Sequence, residues 1–289
     1  MTRRKTASNM NKFNFAESAL IFIHIPKCGG NSFLAYMESQ IPKNMLAFDL
    51  NDHSRTPELN GQPEKYDARL SEFKSMPLEE RNKYAFVYGH MPQGIHKHIS
   101  RPCQYVTIIR EPVNRMVSLY WFARSVPNHY LHSFAQQHSL LEFAQSDASF
   151  ELDNQQTRLL CNRYDCYSSD INDRVNQDDA DRAIAHVMNP RNVTGILEEY
   201  QKTLRLVRHH FGFQVGPTVR RNVTRSHPSI QGLIPDEIDA IKERNRFDIQ
   251  LYEAARLELH RRLDGLPRQF CLPKFLRRFL KGRSGNRVS

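Results

Sequence analysis

Three short apolar runs organise the pattern of hydrophobic and polar positions along the chain. They cover residues 19–25, 84–88 and 104–109, and each is followed by a turn or a helix signal. Continuous apolar runs of this length are typical of parallel strands that are covered on both faces. The pattern predicts a helix after each of the first and third runs, so we expect an α/β protein in which these strands share one sheet.

The first run leads into a glycine turn that carries a lysine and a serine. Gly29 and Gly30 allow backbone N–H groups to approach an anion, and the helix that follows adds its positive N-terminal end. Lys27 supplies a mobile charge and Ser32 a hydroxyl donor. The turn therefore predicts a phosphate-binding loop. The alternative is an ordinary strand–turn–helix connection with a surface lysine. The loop consists of Lys27, Cys28, Gly29, Gly30, Asn31 and Ser32.

The run at 104–109 ends in Arg110, and Glu111-Pro112 then marks the start of a helix. Ligands of open α/β sheets bind beyond the carboxyl ends of the strands. Arg110 and Ser118 on that helix are therefore expected to reach one anion, whereas Arg115 is better interpreted as a salt-bridged arginine of the helix face. Two anion sites on two strands fit a nucleotide that carries phosphates on both sides of its ribose.

The run at 84–88 ends in Gly89-His90, at the same predicted edge of the sheet. A histidine at this place can take a proton from a hydroxyl near neutral pH, so His90 is a candidate general base. The alternative is a histidine with a capping or core role. His24, within the first strand region, is expected to be structural and to brace the loop.

These motifs resemble those of sulfotransferases that use 3′-phosphoadenosine 5′-phosphosulfate (PAPS). Pro-Lys-x-Gly-Gly-x-Ser at 26–32 is similar to their 5′-phosphosulfate loop, and Arg-x-Pro-x-x-Arg-x-x-Ser at 110–118 to their 3′-phosphate site. Gly89-His90 before Pro92 resembles the uronyl 2-O-sulfotransferases. The resemblance implies a P-loop-like three-layer α/β fold with a central parallel sheet flanked by helices. It also implies PAPS as co-substrate without a metal, His90 as base, Lys27 at the leaving group, and a polysaccharide or glycolipid acceptor.

The resemblance extends over about residues 19–263. It implies that Asn154 and Arg158, four residues apart on a predicted helix, line the acceptor cleft, although a pair that braces a loop is an equal alternative. It also implies that Arg220 and Arg221 belong to a basic loop that closes over the nucleotide. Residues 193–200 resemble the family's next strand and helix start. Cys28 and Asn31 stand where threonine is usual, which predicts a weakened or retuned affinity for PAPS.

The net charge of +10 is concentrated near the end of the sequence. Residues 268–289 contain seven Lys or Arg and no Asp or Glu, and the rest of the chain has a net charge of +3. Apolar and basic residues interleave there, which suits contact with an anionic membrane surface; a docked helix with a disordered end is an equal alternative. We expect no nucleic-acid partner. The predicted organisation is an N-terminal tail at 1–18, the enzyme domain at 19–266 and a basic tail at 267–289.

No secretory signal or membrane-spanning run is visible. The cysteines number five, and an odd number does not suit a disulfide framework. The sequence therefore predicts a cytoplasmic protein, peripheral at the inner membrane face if the tail binds lipid. A trimmed eukaryotic catalytic domain would instead belong in the Golgi lumen.

Two other functions are compatible with parts of the pattern. An ATP-dependent P-loop phosphotransferase is disfavoured because Lys27 precedes the glycines and no Mg²⁺-holding aspartate follows a strand. A non-catalytic module that binds anionic glycans or membranes explains the tail but not three strand ends bearing Lys, His and Arg.

Overall fold

A computed structural model of the chain describes residues 13–50, 63–161, 174–216 and 232–266. Its centre is a sheet of five parallel strands in the order β2-β3-β1-β4-β5, which confirms the predicted fold class. The strands are β1 (Ala19–Ile23), β2 (Leu46–Asp49), β3 (Tyr84–Gly89), β4 (Cys103–Ile109) and β5 (Val193–Ile196).

Helices flank the sheet, and all five residues of β1 are buried, as expected for a central strand covered on both faces. The helices are α1 (Gly30–Glu38), α2 (Pro63–Ser75), α3 (Leu78–Arg81), α4 (Pro112–Ser125), α5 (His132–Gln137), α6 (Leu140–Gln145), α7 (Gln155–Leu160), α8 (Gln177–Met188), α9 (Tyr200–Phe211), α10 (Pro235–Arg244) and α11 (Arg246–Asp264). Short 3₁₀ turns occupy Ile95–His98 and Phe150–Leu152.

The register of the sheet brings three strand ends to one edge. Ile23 at the end of β1 pairs with Gly89 of β3 on one side and with Thr107 of β4 on the other. From β1 the chain continues to β2 on one side of the sheet, whereas from β4 it continues to β5 on the opposite side. This divergence creates the crevice between neighbouring parallel strands in which α/β proteins bind ligands.

Helix α4 begins where the sequence predicts it. Glu111 is the N-cap, and its two carboxylate oxygens accept hydrogen bonds from the N–H groups of Val113 (3.0 Å) and Asn114 (2.7 Å). Pro112 occupies the first turn, where its missing N–H has no consequence for helix bonding. The inner face of α4 packs with α5, α6 and α10 in a second hydrophobic cluster. This packing holds α4 beside the end of β4.

Helices α7 and α11 cap each other. The Asn154 side-chain oxygen accepts from the N–H groups of Phe247 (2.9 Å) and Asp248 (3.1 Å) at the start of α11. In return, the Asp248 carboxylate accepts from the N–H groups of Gln156 (3.2 Å) and Thr157 (2.7 Å) at the start of α7. Because each helix supplies the acceptor for the other's unpaired donors, their relative position is fixed.

Part of the stretch expected as an N-terminal tail packs into the core. Phe13 and Phe15 are buried, and the Phe13 N–H donates to the carbonyl of Phe211 at 2.8 Å. The predicted nucleotide-covering residues Arg220 and Arg221 and the basic segment 268–289 lie outside the described residues.

No helix in the described ranges is long and apolar enough to cross a membrane.

Candidate functional site

The glycine loop forms a tight turn between β1 and α1. Lys27 and Gly29 both adopt left-handed conformations, with φ angles of 67° and 76°. Gly29 is the N-cap of α1, and within the described residues no side chain caps this helix start. The Ser32 N–H donates to the Gly29 carbonyl at 3.2 Å. The N–H groups of Gly30 and Asn31 come before this first bond of the helix, so they are donors suited to an anion.

The two glycines are required by their neighbours. A Cβ atom on Gly30 would lie 1.9 Å from Cδ2 of His24, which leaves no room for any side chain. At Gly29 the left-handed φ disfavours other residues, and a Cβ would also lie 2.5 Å from Cδ1 of Leu197. His24 thus braces the loop through its ring, as one interpretation of the sequence expected.

The two unusual loop residues occupy different surroundings. Cys28 is buried, its thiol donates to Oε1 of Gln156 at 3.4 Å, and burial raises the pKa of this thiol to about 12. Its main-chain N–H donates to the carbonyl of Ile25 at 3.3 Å. Asn31 is exposed at the start of α1. Of the two residues that stand where threonine is usual, Asn31 is therefore the one at the solvent-facing surface of the loop.

The side chain of Lys27 rests on an aromatic ring of α4. Its Nζ atom lies 3.4 Å from the centre of the Phe122 ring, a cation–π contact. Burial, together with the positive charge of Arg110, lowers the pKa of Lys27 to about 8, although the Glu151 carboxylate acts in the opposite direction. Ser118 lies one helical turn before Phe122, so it shares the face of α4 that Lys27 contacts. The ammonium group is therefore poorly solvated and close to the predicted second site.

Arg110 reaches from the end of β4 to the glycine loop. Its Nη1 donates to the Lys27 carbonyl at 3.1 Å, and its Nε lies 3.9 Å from a carboxylate oxygen of Glu198. This Nε atom is buried without a hydrogen-bond partner in the described parts of the chain. The structure thus brings the two predicted anion-binding cations together and leaves Arg110 with donor capacity.

Gln156, which was not among the site residues predicted from the sequence, connects the end of β4 with the glycine loop. Its Oε1 accepts from the Arg110 N–H at 2.8 Å and its Nε2 donates to the Arg110 carbonyl at 2.9 Å. The same Oε1 atom accepts the Cys28 thiol. The only sequence signal was the position of Gln156 between Asn154 and Arg158 in the segment that resembles the sulfotransferases.

His90 directly follows β3, and the main-chain carbonyl of His24, just after β1, orients its ring. Its Nδ1 lies 2.6 Å from the carbonyl oxygen of His24, and the two imidazole rings are 4.4 Å apart. Since a carbonyl oxygen only accepts, Nδ1 carries the hydrogen and a neutral His90 has its lone pair on Nε2. The ring is partly exposed, so Nε2 is suited to receive a proton from a bound hydroxyl.

Three further polar residues, Asn154, Arg158 and Arg115, form hydrogen bonds inside the protein. Arg158 is buried and donates to the carbonyl (2.9 Å) and the carboxylate (2.7 Å) of Asp153. Together with the capping role of Asn154, this geometry favours the bracing alternative for the pair. Arg115 is fully buried and donates to Oε1 of Gln155 (2.7 Å) and the carbonyl of Glu151 (2.8 Å). It therefore has a structural role, inside the protein rather than on the helix face.

Asn154 also borders a separate cavity of about 250 Å³. This cavity lies at the junction of α10 and α11, where Arg174, Arg246 and Phe247 line it. None of its lining residues belongs to the glycine loop or to the ends of β3 and β4, so this cavity is separate from the three strand ends.

Comparison with known proteins relates the chain to one family. The sequence model of the family described as "Sulfotransferase family" matches residues 13–253, well over half of the chain. Among solved structures, mouse sulfotransferase SULT7A1 complexed with PAP is similar at 13% identity, with a TM-score of 0.39, over 82% of this chain and 67% of that one. No curated protein matches the chain in sequence. The family match, not the distant structural similarity, establishes the relationship.

The contacts of Gln156 predict a measurable loss of stability when its amide is removed. Gln156→Leu should lower the free energy of unfolding by about 1–3 kcal/mol, because the N–H and C=O groups of Arg110 lose their partner. Urea unfolding measures this difference. Gln201→Leu, at an exposed position of α9, is the matched control and should change stability by less than about 0.5 kcal/mol. Equal effects of the two substitutions would contradict the assigned contacts.

Proposed function

The chain belongs to the sulfotransferase family, and we propose that it transfers the sulfuryl group of PAPS to a hydroxyl of a carbohydrate-type acceptor. The observation that carries this proposal is the meeting of three strand ends at one edge of the sheet. Arg110 is hydrogen-bonded to the Lys27 carbonyl, and His90 lies against the His24 carbonyl of the same loop region. An anion-binding pair and a candidate base therefore surround one loop.

The residues present fit the two charged ends of PAPS, whose chemical contribution is an activated sulfuryl group on a mixed anhydride. Lys27 and the uncapped start of α1 are suited to the 5′-phosphosulfate. Arg110 and Ser118 are suited to the 3′-phosphate, since Arg110 keeps a buried donor without a hydrogen-bond partner in the described residues. Glycine at positions 29 and 30 keeps side chains out of the loop.

The proposed reaction transfers one proton, forms one bond to sulfur and breaks another. Nε2 of His90 takes the proton of the acceptor hydroxyl while that oxygen forms a bond to sulfur. Lys27 and the N–H groups of α1 stabilise the electron pair left on the 5′-phosphate oxygen as its bond to sulfur breaks. Arg110 and Ser118 hold the nucleotide so that attacking oxygen, sulfur and leaving oxygen stay in line.

The carbohydrate part of the proposal is supported by Gly89-His90 and the nearby Pro92, the segment that resembles the uronyl 2-O-sulfotransferases. Transfer from ³⁵S-labelled PAPS to heparan, chondroitin, a glycolipid, a tyrosine peptide and a small phenol tests the acceptor class. Labelling confined to the carbohydrates is expected. Preferential labelling of the peptide or phenol would contradict the acceptor assignment. Transfer of the γ-phosphoryl group of labelled ATP, without transfer of ³⁵S from PAPS, would contradict sulfuryl transfer.

His90→Ala should lower turnover about 10²–10⁴-fold, because the acceptor hydroxyl loses its proton acceptor. Nucleotide binding should change little, since the proposed nucleotide contacts come from other residues. Steady-state turnover and a calorimetric titration with PAP measure the two effects separately. His210→Ala is the control, because His210 contacts Gln104 near the start of β4, at the opposite edge of the sheet. Full turnover in His90→Ala would remove His90 from the mechanism.

The lowered pKa of Lys27 predicts that nucleotide binding weakens in mildly alkaline solution. Lys27 is protonated below its pKa of about 8 and loses its charge above it, whereas phosphates nearby favour the charged form. PAP affinity should therefore fall above this pH, by at most about tenfold per unit. Calorimetry at several pH values measures this.

The control for the titration is Lys27→Arg, which keeps its charge throughout this range. The alkaline decrease in affinity should disappear in that variant. A decrease of the same size in Lys27→Arg would assign the effect to another group.

A further inference from the structure

The ring of His24 occupies the space between the glycine loop and His90. Its Cδ2 and Nε2 atoms lie 1.9 and 2.0 Å from the place that a Cβ on Gly30 would take. The same ring lies 4.4 Å from the ring of His90, and Phe22 stacks on it at 5.5 Å. With 7% of its surface exposed, His24 has little freedom to move away from either contact.

The main chain of His24 contributes a second link. Its carbonyl accepts the Nδ1 hydrogen of His90 at 2.6 Å, and its N–H donates to the carbonyl of Gly89 at 2.9 Å. Gly89 immediately precedes His90 and has a φ of 151°, a value that favours glycine. The backbone of His24 therefore bonds both to the main chain of Gly89 and to the side chain of His90.

We propose that His24 is a positioning residue that couples the backbone of the glycine loop to the orientation of His90. The carbonyl of His24 selects the His90 tautomer with its lone pair on Nε2, and the His24 ring fixes the distance between that imidazole and Gly30. A shift of the loop at Gly30 therefore moves the base. This inference rests on the proposed function, in which the loop holds the phosphosulfate and His90 takes the proton.

Two substitutions at position 24 test the role of the ring while both keep the backbone carbonyl. His24→Ala removes the ring that packs against the imidazole of His90, so that imidazole should move away from the carbonyl and lose its single tautomer. His24→Phe restores a ring of similar width and should restore that tautomer. Long-range ¹H–¹⁵N spectra of the ligand-free protein report the tautomer directly, and the His90 signals are identified by their loss in His90→Ala.

Two substitutions in the loop test the coupling from the other side. Gly30→Ala should displace the His24 ring and change the His90 signals, although the three atoms nearest the new Cβ all belong to His24. Gly29→Ala is the matched control, because its Cβ would meet Leu197 and not His24. It should disturb PAP binding while it leaves the His90 signals unchanged.

Turnover at saturating PAPS shows whether the coupling acts on the reaction. His24→Ala should lower this turnover about 10- to 100-fold, since a misplaced base is costly even when nucleotide is fully bound. His24→Phe should recover most of the loss. The proposal is overturned if His24→Ala keeps the His90 tautomer and turnover, or if His24→Phe is as impaired as His24→Ala. Absence of sulfuryl transfer in the unaltered protein would overturn the proposed function, whereas the spectra would still test the coupling.

Discussion

The site depends on the pair of hydrogen bonds between the side chain of Gln156 and the main chain of Arg110. Strand β4 ends at Ile109, so the sheet supplies no ladder partner for the next residue. The Gln156 amide supplies both a donor and an acceptor there, and also accepts the thiol of Cys28 in the glycine loop. One buried amide therefore sets the end of β4 relative to the loop after β1.

The position of Gln156 is in turn set by the reciprocal caps of α7 and α11. The Asp248 carboxylate accepts a hydrogen bond from the N–H group of Gln156, and the Asn154 side chain accepts one from the N–H group of Asp248 at the start of α11. Buried polar networks of this kind are costly when incomplete, so the loss of one member destabilises the arrangement by leaving its buried partners without a hydrogen bond. Through Gln156, the polar segment 153–158 thus supports the end of β4.

Electrostatics at the site combine a weakly solvated lysine with an incompletely bonded arginine. Lys27 lies on the Phe122 ring, and burial lowers its pKa, so its ammonium gains by moving to an anionic ligand. Arg110 is held by the Lys27 carbonyl and lies near Glu198, which limits its mobility before any ligand arrives. Such preorganised donors lose little entropy when they bind a charged ligand.

The sequence predicted the elements that have local signals. The apolar runs at 19–25, 84–88 and 104–109 identified β1, β3 and β4, and Glu111-Pro112 identified the start of α4. The placement of Lys27, His90 and Arg110 after the ends of neighbouring strands followed from the rule that parallel strands share one carboxyl edge.

The unpredicted features arise from contacts between distant parts of the chain. The bonds of Gln156 to Arg110 span 46 residues, and the contact of Lys27 with Phe122 depends on how α4 packs. Arg115 was expected on a helix face, but it is buried because the carbonyl of Glu151 and the amide of Gln155 accept its hydrogens. No local pattern encodes such partners, since each residue type is common on helices.

The most direct test of the account compares the affinities of PAP and adenosine 5′-phosphate, which lacks the 3′-phosphate, by calorimetric titration. The account predicts that PAP binds about 10- to 100-fold more tightly, because charge-assisted hydrogen bonds from Arg110 hold the additional phosphate. It also predicts that Arg110→Ala removes most of this difference. Equal affinities in the unaltered protein, or a difference that survives in Arg110→Ala, would contradict the assignment of two anion sites to the ends of β1 and β4.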